Sequence, residues 1–120
     1  MIAYVVRTSE AFDRWWATCD SALQDTVAAY VGLLEVVGPQ LSRPYADTLR
    51  GSAVKNLKES RVQHRGQPYR VLYAFDPRRE AVLLLGGTKA GDGRWYSDAI
   101  PRPEVIYARH LADLENDRGG

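Results

Sequence analysis

The chain is poor in the residues that build covalent or metal-centred chemistry. It holds one cysteine, Cys19, so no internal disulfide can form, and a reducing, cytoplasmic setting is expected. Its two histidines, His64 and His110, lie far apart, with no Cys or His at ligand spacing, so no metal site is expected. No run of about 18 apolar residues occurs, which excludes a membrane-spanning helix. The start, Met1 to Arg7, lacks a basic segment followed by a long apolar stretch, so no signal peptide is expected. Gly86-Gly87-Thr88-Lys89 has neither the first glycine nor the spacing of a nucleotide loop, and no Gly-x-Ser-x-Gly elbow exists. A cofactor-free mechanism or plain binding remains.

What is present fits one compact domain. At 120 residues with 45% hydrophobic and 26% charged residues, the chain can bury a core and is not disordered. A single domain over 1–116 with a frayed tail at 117–120 is expected. The net charge of +1 hides an asymmetry: residues 1–40 sum to −3, residues 41–100 to +5 and residues 101–120 to −1. A basic centre between acidic ends points to an anionic ligand for one face. The plainer alternative is a solvated, Lys/Arg-rich edge.

Ile2 to Arg7 is β-rich and reads as a strand. Thr8 or Ser9 can cap a helix in which Phe12, Trp15, Trp16 and Cys19 recur at helical spacing. Cys19 on that stripe is a small buried hydrophobe, and Trp15 and Trp16 are packing residues. Asp20 or Ser21 can cap a second helix, with Leu23, Val27, Tyr30, Val31 and Leu34 on one face and Gly38-Pro39 at its end. Residues 41–52 read as a loop. Strands are expected at 54–62, 69–76 and 81–89, with turns at Gly66-Gln67-Pro68, Asp76 to Arg79 and Gly91-Asp92-Gly93. Pro101 and Pro103 open a last helix, with Tyr107, Leu111 and Leu114 on one face. The order predicts an α+β fold: an N-terminal strand and helical hairpin packed on a small antiparallel sheet, with a C-terminal helix.

Three segments carry a family resemblance: Leu57-Lys58-Glu59, Pro68-Tyr69-Arg70-Val71-Leu72-Tyr73-Ala74-Phe75-Asp76-Pro77-Arg78-Arg79, and Gly86-Gly87-Thr88-Lys89 through Arg94-Trp95-Tyr96. Together they resemble the HigB-type toxins of the phage-derived Gp49-like group, within the RelE/ParE toxin superfamily, over roughly residues 2 to 115. The resemblance implies a helical hairpin, a curved antiparallel sheet and a C-terminal helix. It implies a type II toxin–antitoxin toxin that cuts messenger RNA in the ribosomal A site. It also implies a HigA-like antitoxin with a helix-turn-helix domain, through which alone the chain would reach DNA. The family's strand Lys, strand Arg and terminal Tyr fall on Lys58, Arg70 and Tyr96.

RNA cleavage suits such residues, because the 2′-hydroxyl can itself attack the adjacent phosphate. Arg70 is the candidate for transition-state charge, since a guanidinium offers a planar fork to phosphate; its alternative is an ion pair with Glu59 or Asp76. Lys58 is a candidate for proton transfer or phosphate contact. In a regular strand, however, Lys58 and Arg61 point to opposite faces unless a bulge intervenes. Lys89 and Arg94 can contact phosphate or neutralise the leaving 5′-oxygen, or be exposed turn charges. Tyr96 can stack on a base or orient the 2′-hydroxyl, while Trp95 packs in the core. His64 is a general base by side-chain type but sits in an expected hairpin loop, and Arg65 beside it suits ribosomal RNA contact. Arg78 and Arg79 are turn residues with Asp76 as partner. Two non-nuclease readings stay open: a ParE-like toxin acting on DNA gyrase by protein contact, and a phage-derived binding module without catalysis.

Overall fold

The computed structural model describes residues 3–89 and 94–119, so the turn expected at Gly91-Asp92-Gly93 lies outside the described residues. In chain order the elements are β1 (Val6–Thr8), α1 (Glu10–Thr18), α2 (Ser21–Val37), a single 3-10 turn (Gly38–Gln40), β2 (Ala46–Thr48), β3 (Leu57–His64), β4 (Gln67–Phe75), β5 (Ala81–Thr88), α3 (Arg94–Ala99) and α4 (Pro101–Gly119). The fold is α+β, with a C-terminal helix.

Local chemistry sets the helix ends. Ser9 caps α1 by accepting from the Phe12 N–H, and Asp20 caps α2 by accepting from the Leu23 N–H. Gly38 ends α2 at φ 73°, where the backbone leaves the helix against the Tyr4 ring and a Cβ has no room.

The sheet order is β1-β5-β4-β3-β2. Strands β3 to β5 form the expected antiparallel meander and β2 adds antiparallel to β3, but β1 runs parallel to β5, with Val6 opposite Ala81. Consecutive-strand reasoning does not find that pair, because its partners are distant in sequence. Two further elements differ from expectation. Residues 46–48 form the edge strand β2 inside the expected loop, and residues 94–99 form the short helix α3.

The core has two parts, one on each face. The helical hairpin covers the first with Phe12, Leu23, Val27 and Leu34 against Val62, Val71, Tyr73 and Leu83. On the second, α3 and α4 cover Leu57, Leu72, Ala74, Val82, Leu84 and Leu85 with Ala99 and Tyr107. The register between β4 and β5 slips after Leu72: Leu72 faces Leu85 but Tyr73 faces Leu83. The extra residue, Leu84, lets Leu84 and Leu85 enter the same cluster. Beyond the slip, Gly86 turns toward Trp15 of α1 and Gly87 toward Trp95 of α3. Both glycines are needed for contact: a Cβ on Gly86 would lie inside the Trp15 indole, and one on Gly87 would sit 2.9 Å from Trp95 Nε1.

Candidate active site

Alternation along the strands decides which charges meet. On β3, Glu59 and Arg61 share a face, and Arg61 lies opposite Arg70 of β4, which in turn lies opposite Gly87 of β5. Gly87 has no side chain, so Trp95 can pack over the strand and bring Tyr96 of α3 next to Arg70. The result is a cleft of about 350 Å³ at the end of the sheet that α4 leaves uncovered. Arg43, Asp47, Arg50, Glu59, Arg61, Lys89 and Tyr96 are among its lining residues.

Arg70 is 2% exposed, which demands partners for its charge. Its Nε donates to Tyr96 Oη at 3.2 Å, its Nη1 donates to the Tyr69 carbonyl at 3.0 Å, and Glu59 Oε1 lies 3.8 Å from Nε. Glu59, 5% exposed, also accepts from Arg61 Nη1 at 2.7 Å. Two guanidiniums thus share one carboxylate, which leaves a net positive set beside the cleft. Lys89 Nζ stands 5.3 Å from the centre of the Tyr96 ring, a cation–π contact, and Trp95 meets the same ring edge-on at 5.1 Å. Burial and the facing Glu59 carboxylate push the Tyr96 phenol above its ordinary pKa, outweighing Arg70, so it stays protonated.

The other expected residues divide. Lys89 and Arg61 join Arg70 and Tyr96. Lys58 does not: β3 keeps an unbroken register with β4, so no bulge turns Lys58 toward the cleft. Its Nζ donates to the Pro39 carbonyl at 2.6 Å on the opposite face. His64 is not in a loop but ends β3, and its Nδ1 lies 2.7 Å from Thr26 Oγ1 of α2 on that same far face. Arg65, at φ 51°, is exposed in the β3–β4 turn with Gly66. Arg94 is exposed at the start of α3. Asp76 is not the partner of Arg70; it takes Arg78, the Glu80 N–H and His110 at the far end of β4.

A family model described as Phage derived protein Gp49-like matches residues 14–108. The chain belongs to that family. It is similar to two Mycobacterium tuberculosis proteins named as candidate toxins, HigB2 and HigB3. It is 39% identical to HigB2 over 111 residues, covering 91% of this chain and 55% of HigB2. It is 43% identical to HigB3 over 109 residues, covering 90% of this chain and 91% of HigB3. The chain therefore spans little more than half of the first relative and nearly all of the second. Among solved structures, a mutant of the E. coli toxin RelE in the free state superposes with a TM-score of 0.60 at 19% identity, over 85% of this chain and 98% of that one. The intact E. coli RelBE toxin–antitoxin complex gives 0.57 at 18% identity, over 75% of this chain and 100% of that one. At these identities the likeness is one of fold. This HigB-like chain is thus a RelE-like fold.

Within this Gp49-like chain, sequence reasoning missed Arg43, Asp47 and Arg50, which form the cleft wall on and beside β2. Arg43 Nε binds Asp47 Oδ2 at 2.8 Å, and this bond, with the Thr48 N–H, holds the Asp47 carboxyl below its usual range. The only hint was the basic excess of residues 41–100, which counts both arginines. In the sequence Glu59 offers itself solely as an ion-pair partner of Arg70. Among the described residues, no group of His, Cys, Asp and Glu could hold a metal ion, and no helix is long and apolar enough to cross a membrane.

Proposed function

We propose that this chain is the toxin of a type II toxin–antitoxin pair. It cleaves messenger RNA in the ribosomal A site by attack of the 2′-hydroxyl on the adjacent phosphate, without a metal. One observation carries the reading: the buried Arg70 guanidinium, held by Tyr96 and the Tyr69 carbonyl, adjoins the Glu59 and Tyr96 side chains that line an open cleft together with Arg61 and Lys89. A donor fixed before substrate arrives needs no reorganisation when charge develops on the phosphate oxygens. In this reading Arg61 supplies the second phosphate contact, Lys89 faces the leaving 5′-oxygen and Tyr96 orients the sugar. Arg94 and Arg65 contact RNA away from the reacting atoms. The relatives' names and the RelBE complex support a partner antitoxin, which we take to be HigA-like with a helix-turn-helix domain that binds DNA on the pair's behalf. The work is done in the cytoplasm.

The test is primer extension on a reporter message in cell-free translation, with the wild type, Arg70→Lys and Tyr96→Phe, and naked RNA in parallel. Discrete new 5′ ends only with translating ribosomes, lost in both variants at unchanged melting temperature, are the expected result. Cuts in naked RNA would make the chain a free endoribonuclease. A folded wild type that makes no cuts would remove the nuclease reading in favour of a toxin acting by protein contact, as on DNA gyrase.

A further inference from the structure

With Lys58 and His64 on the far face, the attacking 2′-hydroxyl needs another group to take its proton. We propose that Glu59 is that general base, an inference that rests on the endoribonuclease reading above. The described titratable and charged groups that face it or share its cleft are Arg61 on its own strand, Asp47 on β2 with Arg43 and Arg50 beside that strand, Arg70 on β4, Lys89 after β5 and Tyr96 on α3.

Each of the others is unsuited. Arg43, Arg50, Arg61 and Arg70 are cations without a lone pair to offer. Tyr96 is kept protonated by burial and by Glu59. Lys89 lies against an aromatic ring as a cation. Asp47 is a carboxylate, but both of its oxygens are held, Oδ2 by Arg43 and Oδ1 by the Thr48 N–H, and its carboxyl lies below the usual range. Glu59 remains, and it is positioned rather than loose: β3 fixes its backbone, and Arg61 and Arg70 fix one oxygen. The Arg61 contact is also one that substrate can replace. Arg61 has a quarter-exposed side chain, against 3% for Arg70, so an entering phosphate competes for Arg61 first. Phosphate binding thereby frees Glu59 Oε1 as the nucleophile arrives.

The step balances without a co-reactant. The O2′ proton passes to Glu59, the O2′–P bond forms and the P–O5′ bond breaks. O5′ takes a proton from the Lys89 ammonium. The products are a 2′,3′-cyclic phosphate and a 5′-hydroxyl, and water restores both side chains.

The decisive substitution is Glu59→Gln, which keeps volume and removes the basic oxygen. The experiment measures cleavage rates over pH, binding of a strand with one 2′-deoxy sugar at the cut site, and melting. Expected are a fall in kcat of about 100-fold or more, equal or tighter binding of the deoxy strand, and a lower melting temperature from the lost buried ion pair. Glu59→Asp should recover part of the rate. Gln activity within about threefold of wild type would overturn the proposal. Deoxy-strand binding weakened in step with the rate would make Glu59 a structural partner of Arg70 and overturn it equally. Where Gln does not fold, the wild-type profile decides: a rate that does not decline on the acid side removes the base. A wild type that cuts no RNA sinks the nuclease reading and Glu59 with it, whereas wild-type cutting matched by Gln removes Glu59 alone.

Discussion

On β3, Lys58, Ser60, Val62 and His64 look toward the helical hairpin, while Leu57, Glu59 and Arg61 look the other way. The hairpin face ties Lys58 and His64 up internally. Lys58 is spent on the Pro39 carbonyl, His64 on Thr26, and Trp15 seals the strand at Gly86. The cleft face is only partly closed by α3 and α4. At the uncovered end it keeps two arginines on one carboxylate, with a lysine and a tyrosine beside them. Residue type does not separate these faces, since basic side chains lie on both. What separates them is that the charges of the cleft face, paired with one another, border an opening, whereas Lys58 and His64 are bonded beneath the hairpin.

That contrast can be broken by experiment, and the largest effect belongs to the hairpin face. Leu34 is fully buried, so Leu34→Ala should cost about 2–5 kcal/mol of unfolding free energy. Activity per folded molecule should be unchanged, as read by urea titration beside a cleavage assay. A selective loss of activity would mean the faces are coupled. On the cleft side, Arg70→Lys keeps a cation but loses the planar fork. It should slow cleavage by about 100-fold, or roughly 2.7 kcal/mol, while the hairpin packing stays intact by near-UV circular dichroism.

Asp76 offers a sharper test, because it ties α4 to the end of β4. Burial alone would raise its carboxyl, but the bonds from His110, the Glu80 N–H and Arg78 outweigh that and leave it below its usual range. A depressed folded pKa means that the stabilisation is complete above the unfolded value, about 3.9, and is lost as pH falls through the folded value. Asp76→Asn should cost about 1–3 kcal/mol at pH 7. The gap between the two urea midpoints should narrow as pH is lowered toward 3, and a gap that stays constant would contradict this wiring. The smallest effect is expected at Lys58. Lys58→Met removes one bond to a backbone carbonyl, worth about 0.5–1.5 kcal/mol. Unimpaired cleavage would keep it on the packing side, and abolished cleavage at unchanged stability would dissolve the division between the faces.

Much of this was legible from the residues alone. The apolar spacing of Phe12, Trp15 and Trp16 and the capping types at Ser9 and Asp20 specify the hairpin, because helices are set by local chemistry. The meander followed from turn residues, and Arg61, Lys89 and Tyr96 do gather at the cleft, with Arg70 against Tyr96. Strand β2 was not visible, since three residues carry too little alternation and gain their place from pairing with β3. The parallel β1–β5 contact was hidden for the same non-local reason. The sequence warned that Lys58 and Arg61 oppose one another, and the unbroken β3 register made that warning decisive. Glu59 was overlooked because a carboxylate among cations reads as a counter-ion until its neighbours are known.

The parallel pair has a consequence for how the molecule comes into being. The first strand can dock only beside the last, so Val6 waits for Ala81. Long-range pairings of this kind close late, after much chain entropy has been surrendered. During synthesis the helical hairpin emerges first with its apolar side unmatched, and the sheet that covers it follows strand by strand. Tyr96 leaves the ribosome after every strand, so a partly made chain has neither a finished core nor a cleft.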